Sequence, residues 1–421
     1  MTTPRLHRLA NGVTVVCDPI DGLESFALSI VAGRGARLEP EDRSGWSHLL
    51  EHMVFKGAAG RSARDIVEAI EGEGGTINAA TGYERTSFQV RALKGRLELG
   101  LSLTSDLVLR PTLDAGELER EKDVVAQEIA EAEDAPDDHV FELAQTAAFT
   151  GQPLGRPILG APEVVNSATS EQLEAWRASL YAPDRLVVAA SGAVDEDELL
   201  RLAEAHFGAA AGPALPEPPP GQFTGGLRPM ARKLEQAHLV FLLPAPGARD
   251  DDYYAVRLFA EALGGGMASR LFQEAREKLG LAYAIDAWAD AYTDVGMLGI
   301  YAGAAPGKAK ELARTAAAQV LALAERIEPV ELDRAKAQLK AHLFMARESP
   351  LVRAEQAAGQ YLVLGRLVPP RQIAELIDAV SANDVRRVGE RLLQPRACAA
   401  AVLGAKPALA AAEGFERAIL G

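Results

Sequence analysis

Apolar and polar positions alternate through "LANGVTVV" near the start of the chain, a period-two pattern that predicts a strand. "SFALSIVAGRGA" reads as a further strand, after which "GWSHLLEHMVFKG" and "SARDIVEAIEGEGG" change to helical spacing. "TINAATGY" and "RTSFQVRAL" return to alternation as paired strands, and two longer helical stretches run to about residue 134. The second half repeats the order. "AHLVFLLPAPGA" is a strand, "YYAVRLFAEALGG" and "SRLFQEAREKLG" are helices, "LAYAIDAWA" and "GMLGIYAGA" are strands, and helices follow over 307–326 and 329–347. A strand "RLVVAASGA" and a helix near 195–207 end the first half, and a strand "ACAAAVLGA" ends the second. The pattern predicts an α+β fold made by internal duplication, two similar domains each with helices packed on a mostly antiparallel sheet. The strongest composition break is "AAAGPALPEPPPGQFTGG", residues 209–226, whose prolines and glycines suit a semi-rigid spacer. The expected division is therefore a domain over 1–208, a linker over 209–226 and a domain over 227–421.

Length and composition narrow the class. A chain of 421 residues is too long for one ordinary core. Its 48% hydrophobic and 24% charged content is that of a folded protein. No apolar run reaches the roughly 18 residues of a membrane span, and the start lacks a signal peptide's apolar segment. Two cysteines far apart, Cys17 and Cys398, fit a reducing compartment, so a cytoplasmic location is expected. The net charge of −15 argues against a nucleic-acid partner and is compatible with basic ones.

The duplication exposes an asymmetry. Where the first half has His48, Glu51 and His52, the matching helix "YYAVRLFAEAL" has no histidine. At 100° per residue, His48, Glu51, His52 and Phe55 share one face, and Trp46, Leu49, Leu50, Met53 and Val54 share the opposite arc. Two imidazoles at i and i+4 converge on one point, as zinc requires, with a third protein ligand and a water completing a catalytic site. Glu51 lies beside that point, placed to take a proton from a water acidified by Zn²⁺. His7, His139, His206, His238 and His342 show no ligand spacing. For the third ligand, "AGELEREKDVVAQEIAEAED" offers Glu121 and Glu128 two turns apart on one face, with Val124 and Val125 between them as on a buried face. A buried carboxylate pair wants a cation, but spacing does not choose between the two. Glu117, Glu119, Glu131 and Glu133 read as a solvated acidic surface.

"HLLEH" with "EREKDVVAQEIAE" downstream resembles the inverted zincin motif of the pitrilysin, insulin-degrading enzyme and mitochondrial-processing-peptidase family. "LANGVTVV", "EPEDRSGWSHLLEHMVFKG", "INAATGYERTSF", "QPLGRPILGAPEVV" and "GGGMASRLFQEAREKLGLAY" match in the same order, so the resemblance covers most of the chain. It implies that His48, His52 and Glu128 hold zinc, that Glu51 is the general base, and that Glu121 supports the site without touching the metal. It further implies that Arg276 and Tyr283 bind substrate backbone and stabilise the transition state. Read from the residues alone, "REKLGLAY" is a glycine-capped helix end and Arg276 a surface charge. "GGTINAAT" resembles the family's substrate-binding edge strand, which implies peptide contacts at Gly75, Asn78 and Ala79. "GGGMASR" lacks the GK[ST] signature of a phosphate loop and resembles a glycine-rich loop of the processing peptidase.

Large family members carry four such domains in one chain, whereas two are expected here. The resemblance therefore implies a clamshell dimer, a homodimer or a heterodimer with a related chain, in which the second domain of one copy faces the zinc domain of the other. The expected function is a zinc-dependent endopeptidase acting on unfolded peptides or oligopeptides. The competing expectations are a non-catalytic assembly or core-type subunit and a peptide-binding partner in a heterodimeric peptidase.

Overall fold

The computed structural model describes residues 4–213, 215–394 and 396–421. They form two compact units, the first of the described residues within 4–130, 157–218 and 345–369, the second of those within 131–156, 219–344 and 370–421.

In the first unit, the apolar runs "TVVCDP", "SFALSIVA" and "LVVAASG" become strands buried almost end to end. Such runs need cover on both sheet faces. β1 (Arg5–Arg8), β2 (Thr14–Pro19), β3 (Ser25–Ala32), β6 (Thr76–Thr81), β7 (Thr86–Leu93) and β8 (Leu186–Gly192) form one sheet in the order β1-β2-β8-β3-β7-β6. β2 and β8 are parallel and all other neighbours antiparallel. β4 (Gly57–Ala58) and β5 (Arg61–Ser62) make a separate short ladder. One face is covered by α1 (Trp46–Val54), α2 (Ala63–Glu71) and α3 (Leu97–Leu109), whose leucines and isoleucines fill the main core with Phe26, Leu28, Phe88 and Val90. The helix Pro350–Leu364 lies on β3 and β8, its Ala354, Ala357 and Ala358 against Val16, Val31, Val187 and Ala189. Arg353 reaches through that layer and donates two hydrogen bonds of 2.6 Å to the buried Asp18.

The second unit has β9 (Gly226–Ala231), β10 (Ala237–Pro246), β11 (Ala284–Ala291), β12 (Val295–Ala304) and β13 (Ala399–Gly404) in the order β11-β12-β10-β13-β9. β13 and β9 form its one parallel pair. Matched strand for strand, this is the first unit's β6-β7-β3-β8-β2, parallel pair included, so the duplication read from the pattern is present in the topology. The helix Tyr253–Gly264, the histidine-free counterpart of α1, packs on β11 and is buried along most of its length. α4 (Ala115–Asp134) is followed by α5 (Pro136–Ala148), which packs on β13 and β10. Phe141 stacks on Tyr301, with ring centroids 5.4 Å apart.

The expected single cut at 209–226 is corrected by these boundaries. Residues 131–156, from the first half of the sequence, belong to the second unit, and residues 345–369, from the second half, belong to the first. Each sheet's second apolar face is closed by a helix from the other half. The expected linker also ends in structure, because Gly226 opens β9 and pairs with Ala399. Among the described residues, no helix is long and apolar enough to cross a membrane.

Candidate metal centre

The site is built on α1. Trp46, Leu49, Leu50, Met53 and Val54 are buried, as the helical wheel requires, while His48, Glu51, His52 and Phe55 lie on the half-exposed side. Gly45 starts the helix at φ +92°, and a Cβ there would meet the Leu159 carbonyl at 2.5 Å, so only glycine fits.

α4 brings its carboxylates to that side. The Nε2 atoms of His48 and His52 lie 3.7 and 3.4 Å from Glu128 Oε2. The two imidazole rings are 4.7 Å apart, edge to face. Among the described residues, His48, His52 and Glu128 form a group whose donor atoms all lie within 4.8 Å of one another. Glu121, the other candidate, takes a different place. Its Oε2 lies 3.1 Å from His52 Nδ1 and its Oε1 accepts from Lys56 Nζ at 2.6 Å. A proton donated from Nδ1 to Glu121 would leave the Nε2 lone pair of His52 directed towards Glu128. The carboxylate buried on α4 is therefore Glu121, while Glu128 remains partly exposed. Val125 is buried, but Val124 is 41% exposed, which corrects the expectation that both lie inside. At 100° per residue, Val124 turns away from the line joining Glu121 and Val125.

The electrostatics favour ligation. Burial, with His52 adding to it, pushes His48 down to about 4, so the imidazole is neutral and able to ligate. Burial also pushes the Glu51 carboxyl up, against hydrogen bonds from the Thr81 side chain and backbone. Glu51 Oε2 and His48 Nδ1 are buried without a hydrogen-bond partner. Two imidazole nitrogens and one carboxylate oxygen converging beside a second carboxylate fit a catalytic zinc site.

β6 is an edge strand of its sheet. Gly82 donates to the Arg85 carbonyl at 2.8 Å, and Thr81 pairs opposite Thr86. Ladder bonds alternate, so the main-chain groups of Thr81, Ala79 and Ile77 point to the free edge and those of Asn78 towards β7. Ala79 thus presents its main-chain groups at that edge, whereas Asn78 is exposed and turns its main-chain groups to β7. Gly75 has a packing role. A Cβ there would meet the Arg91 carbonyl and Ile70 at 2.9 Å, so its absence lets α2 close on the sheet.

Arg276 and Tyr283 lie in the second unit. The helix expected over "SRLFQEAREKLG" is wound over Phe272–Lys278 as a π-helix. Both side chains are exposed, Arg276 with its guanidinium 4.6 Å from the Phe272 ring centroid and Tyr283 at 61%. Sequence reasoning passed over Thr81, although its place at the end of "TINAAT" puts it on the same strand edge as Ala79. It also passed over Lys56, inside "HMVFKG".

The chain is similar to known proteins over nearly its whole length. Residues 21–162 match the model described as Insulinase (Peptidase family M16), and residues 167–339 match one described as Peptidase M16 inactive domain. A protein of Rickettsia felis described as an uncharacterized zinc protease is 33% identical over 92% of this chain and 94% of its own length. The chain belongs to this peptidase family. A second member, from Mycobacterium tuberculosis and likewise described as an uncharacterized zinc protease, is 34% identical over 95% of this chain and 93% of its own. The family fold is shared by a Helicobacter pylori protease crystal structure, with TM-score 0.90 and 22% identity over 96% of this chain and 100% of that one. It is shared too by the peptidase M16 inactive domain of Pseudomonas fluorescens, with TM-score 0.88 and 20% identity over 96% and 99%.

Proposed function

We propose that this family member is a zinc-dependent endopeptidase that hydrolyses unfolded peptides and oligopeptides. The observation that carries the reading is the convergence of His48, His52 and Glu128 beside Glu51. His48, His52 and Glu128 would hold the ion, and Glu121 keeps His52 in the tautomer that ligates. Zinc bound there would supply Lewis acidity, polarising a scissile carbonyl and making a nearby water more acidic. Glu51 takes the water's proton and returns it to the leaving nitrogen. Thr81 holds the carboxylate for both transfers. An extended peptide adds to the free edge of β6 through Ala79 and Ile77, which brings its backbone towards Glu51 at the strand's end. Arg276 and Tyr283 donate to the developing oxyanion. They do so for the metal centre of a second copy, in a homodimer.

The competing reading, a non-catalytic subunit, is supported by the likeness to inactive-domain proteins but not by the ligand set, which is complete. The test is zinc content and oligopeptide cleavage by the purified chain, with Glu51→Gln as control. The expected result is about one zinc per chain and cleavage lost in the variant. A protein that holds no zinc, or a variant that cleaves as fast as its parent, overturns the reading.

A further inference from the structure

The metal helix begins without a cap of its own. Gly45, its N-cap, has no side chain to satisfy the orphaned N–H groups of the first turn. A serine or aspartate cannot replace it, because the Cβ would strike Leu159. The acceptor comes instead from six residues upstream. Glu39, only 2% exposed, accepts from the Gly45 N–H at 2.8 Å through Oε2 and from the Ser47 N–H at 2.7 Å through Oε1. Both carboxylate oxygens accept from the first turn of the helix, and the negative charge sits at the positive end of the helix dipole.

Ser47 immediately precedes His48 and is fully buried. Three elements converge on it. Glu39 takes its N–H, the Trp176 indole donates to its hydroxyl at 3.1 Å, and the Thr81 hydroxyl faces its carbonyl at 3.5 Å. The loop that carries Glu39 is itself fastened to the turn after β6. The Ala36 N–H donates to the Gly82 carbonyl at 3.0 Å, the Arg37 N–H to the Tyr83 carbonyl at 2.8 Å, and the buried Arg37 guanidinium to Glu84 at 2.6 Å. Gly35 allows this approach, since a Cβ there would lie 2.1 Å from the Gly82 carbonyl.

We propose that Glu39 is a positioning residue for the metal centre. It fixes the rotation and height of the first turn of α1, and hence His48 Nε2 relative to Glu128, and it ties that turn to the end of β6. The proposal rests on the zinc-peptidase reading. Small shifts matter at such a site: displacement of a reacting group by about 1 Å costs on the order of a hundredfold in rate.

Glu39→Gln tests it at nearly constant volume. One acceptor oxygen becomes an NH₂ that faces a backbone N–H, so one of the two bonds is replaced by a donor–donor contact. Zinc affinity is measured by chelator competition, steady-state kinetics on an oligopeptide, and amide exchange at Gly45 and Ser47 on zinc-free protein. The expected result is a zinc Kd raised about tenfold or more, a kcat lowered more than about tenfold with KM within about twofold, and faster exchange at both amides. A variant that melts lower but keeps wild-type zinc affinity and kcat overturns the proposal and leaves Glu39 a stability role. Should Glu39→Gln fail to fold, Glu39→Asp carries the test: the charge stays, the reach shortens to one donor, and zinc affinity should fall below that of the wild type. Wild-type affinity in that variant overturns the proposal equally. A wild-type chain that binds no zinc is a different result, the failure of the peptidase reading itself.

Discussion

Glu121 and Glu128 stand two turns apart on α4, and the residues around them give them separate roles. Glu128 faces both Nε2 atoms, while Glu121 is buried between Lys56 and His52 Nδ1. Glu128→Gln should abolish tight zinc binding, because a neutral amide replaces an anionic donor. Glu121→Gln should keep the ion but weaken its affinity about 10- to 100-fold, as chelator competition would measure. Equal losses in the two variants would contradict this division. Glu51→Gln should retain zinc and lower kcat by about 10² or more, the usual contribution of a positioned base. The histidines and their glutamate were legible in the sequence because a helix's period places them on one face without help from elsewhere. The choice between Glu121 and Glu128 was not, because both share the face and only the crossing of α4 over α1 decides which lies level with the imidazoles.

Elements with leucine and isoleucine stripes announced themselves, and elements with alanine stripes did not. The helix Pro350–Leu364 buries Arg353, Ala354, Ala357 and Ala358, and α5 buries Val140, Ala144, Ala147 and Ala148. Such faces give a muted periodicity, so neither helix stands out along the chain. The first is latched by charge. Asp18 is fully buried against Arg353, with Arg347 a further 3.9 Å contact. Arg353→Met should destabilise the protein by about 3–5 kcal/mol in urea unfolding, and Asp18→Asn by more, since it strands two buried guanidiniums. At the helix Ala382–Leu393, Ser381 and Asp384 form a capping box, and these bonds, with one from Arg387, hold the Asp384 carboxyl down to about 2. Ser381→Ala should cost about 1 kcal/mol. Because the folded value lies below the ordinary one of about 4, the contribution of Asp384 is present at neutral pH and is lost as pH falls from about 4 towards 2. The stability difference between wild type and Asp384→Asn should therefore be constant above about pH 5 and shrink below it.

At the scale of the molecule, one chain carries both the helix of His48 and His52, in its first unit, and the Arg276–Tyr283 pair, in its second. The homodimer proposed above makes a specific prediction. Glu51→Gln and Arg276→Ala chains, each inactive alone, should recover about a quarter of wild-type cleavage when mixed and exchanged, since half the dimers then carry one intact site of two. No recovery, or a monomer by sedimentation with full activity, excludes service between copies.

The sequence by itself determined the duplicated α+β pattern, the one helix whose polar face carries two imidazoles and a carboxylate, and the family that those residues mark. These are local matters: a period of two or of 3.6 needs only neighbouring residues to express it. The tertiary structure decided which carboxylate lies level with the two imidazoles, which edge of β6 is free, what caps α1, and which half supplies the helix that closes each sheet. Those depend on contacts between residues that can lie hundreds of positions apart, such as Asp18 with Arg353. An apolar stripe says that a helix must be covered, and it does not say by what.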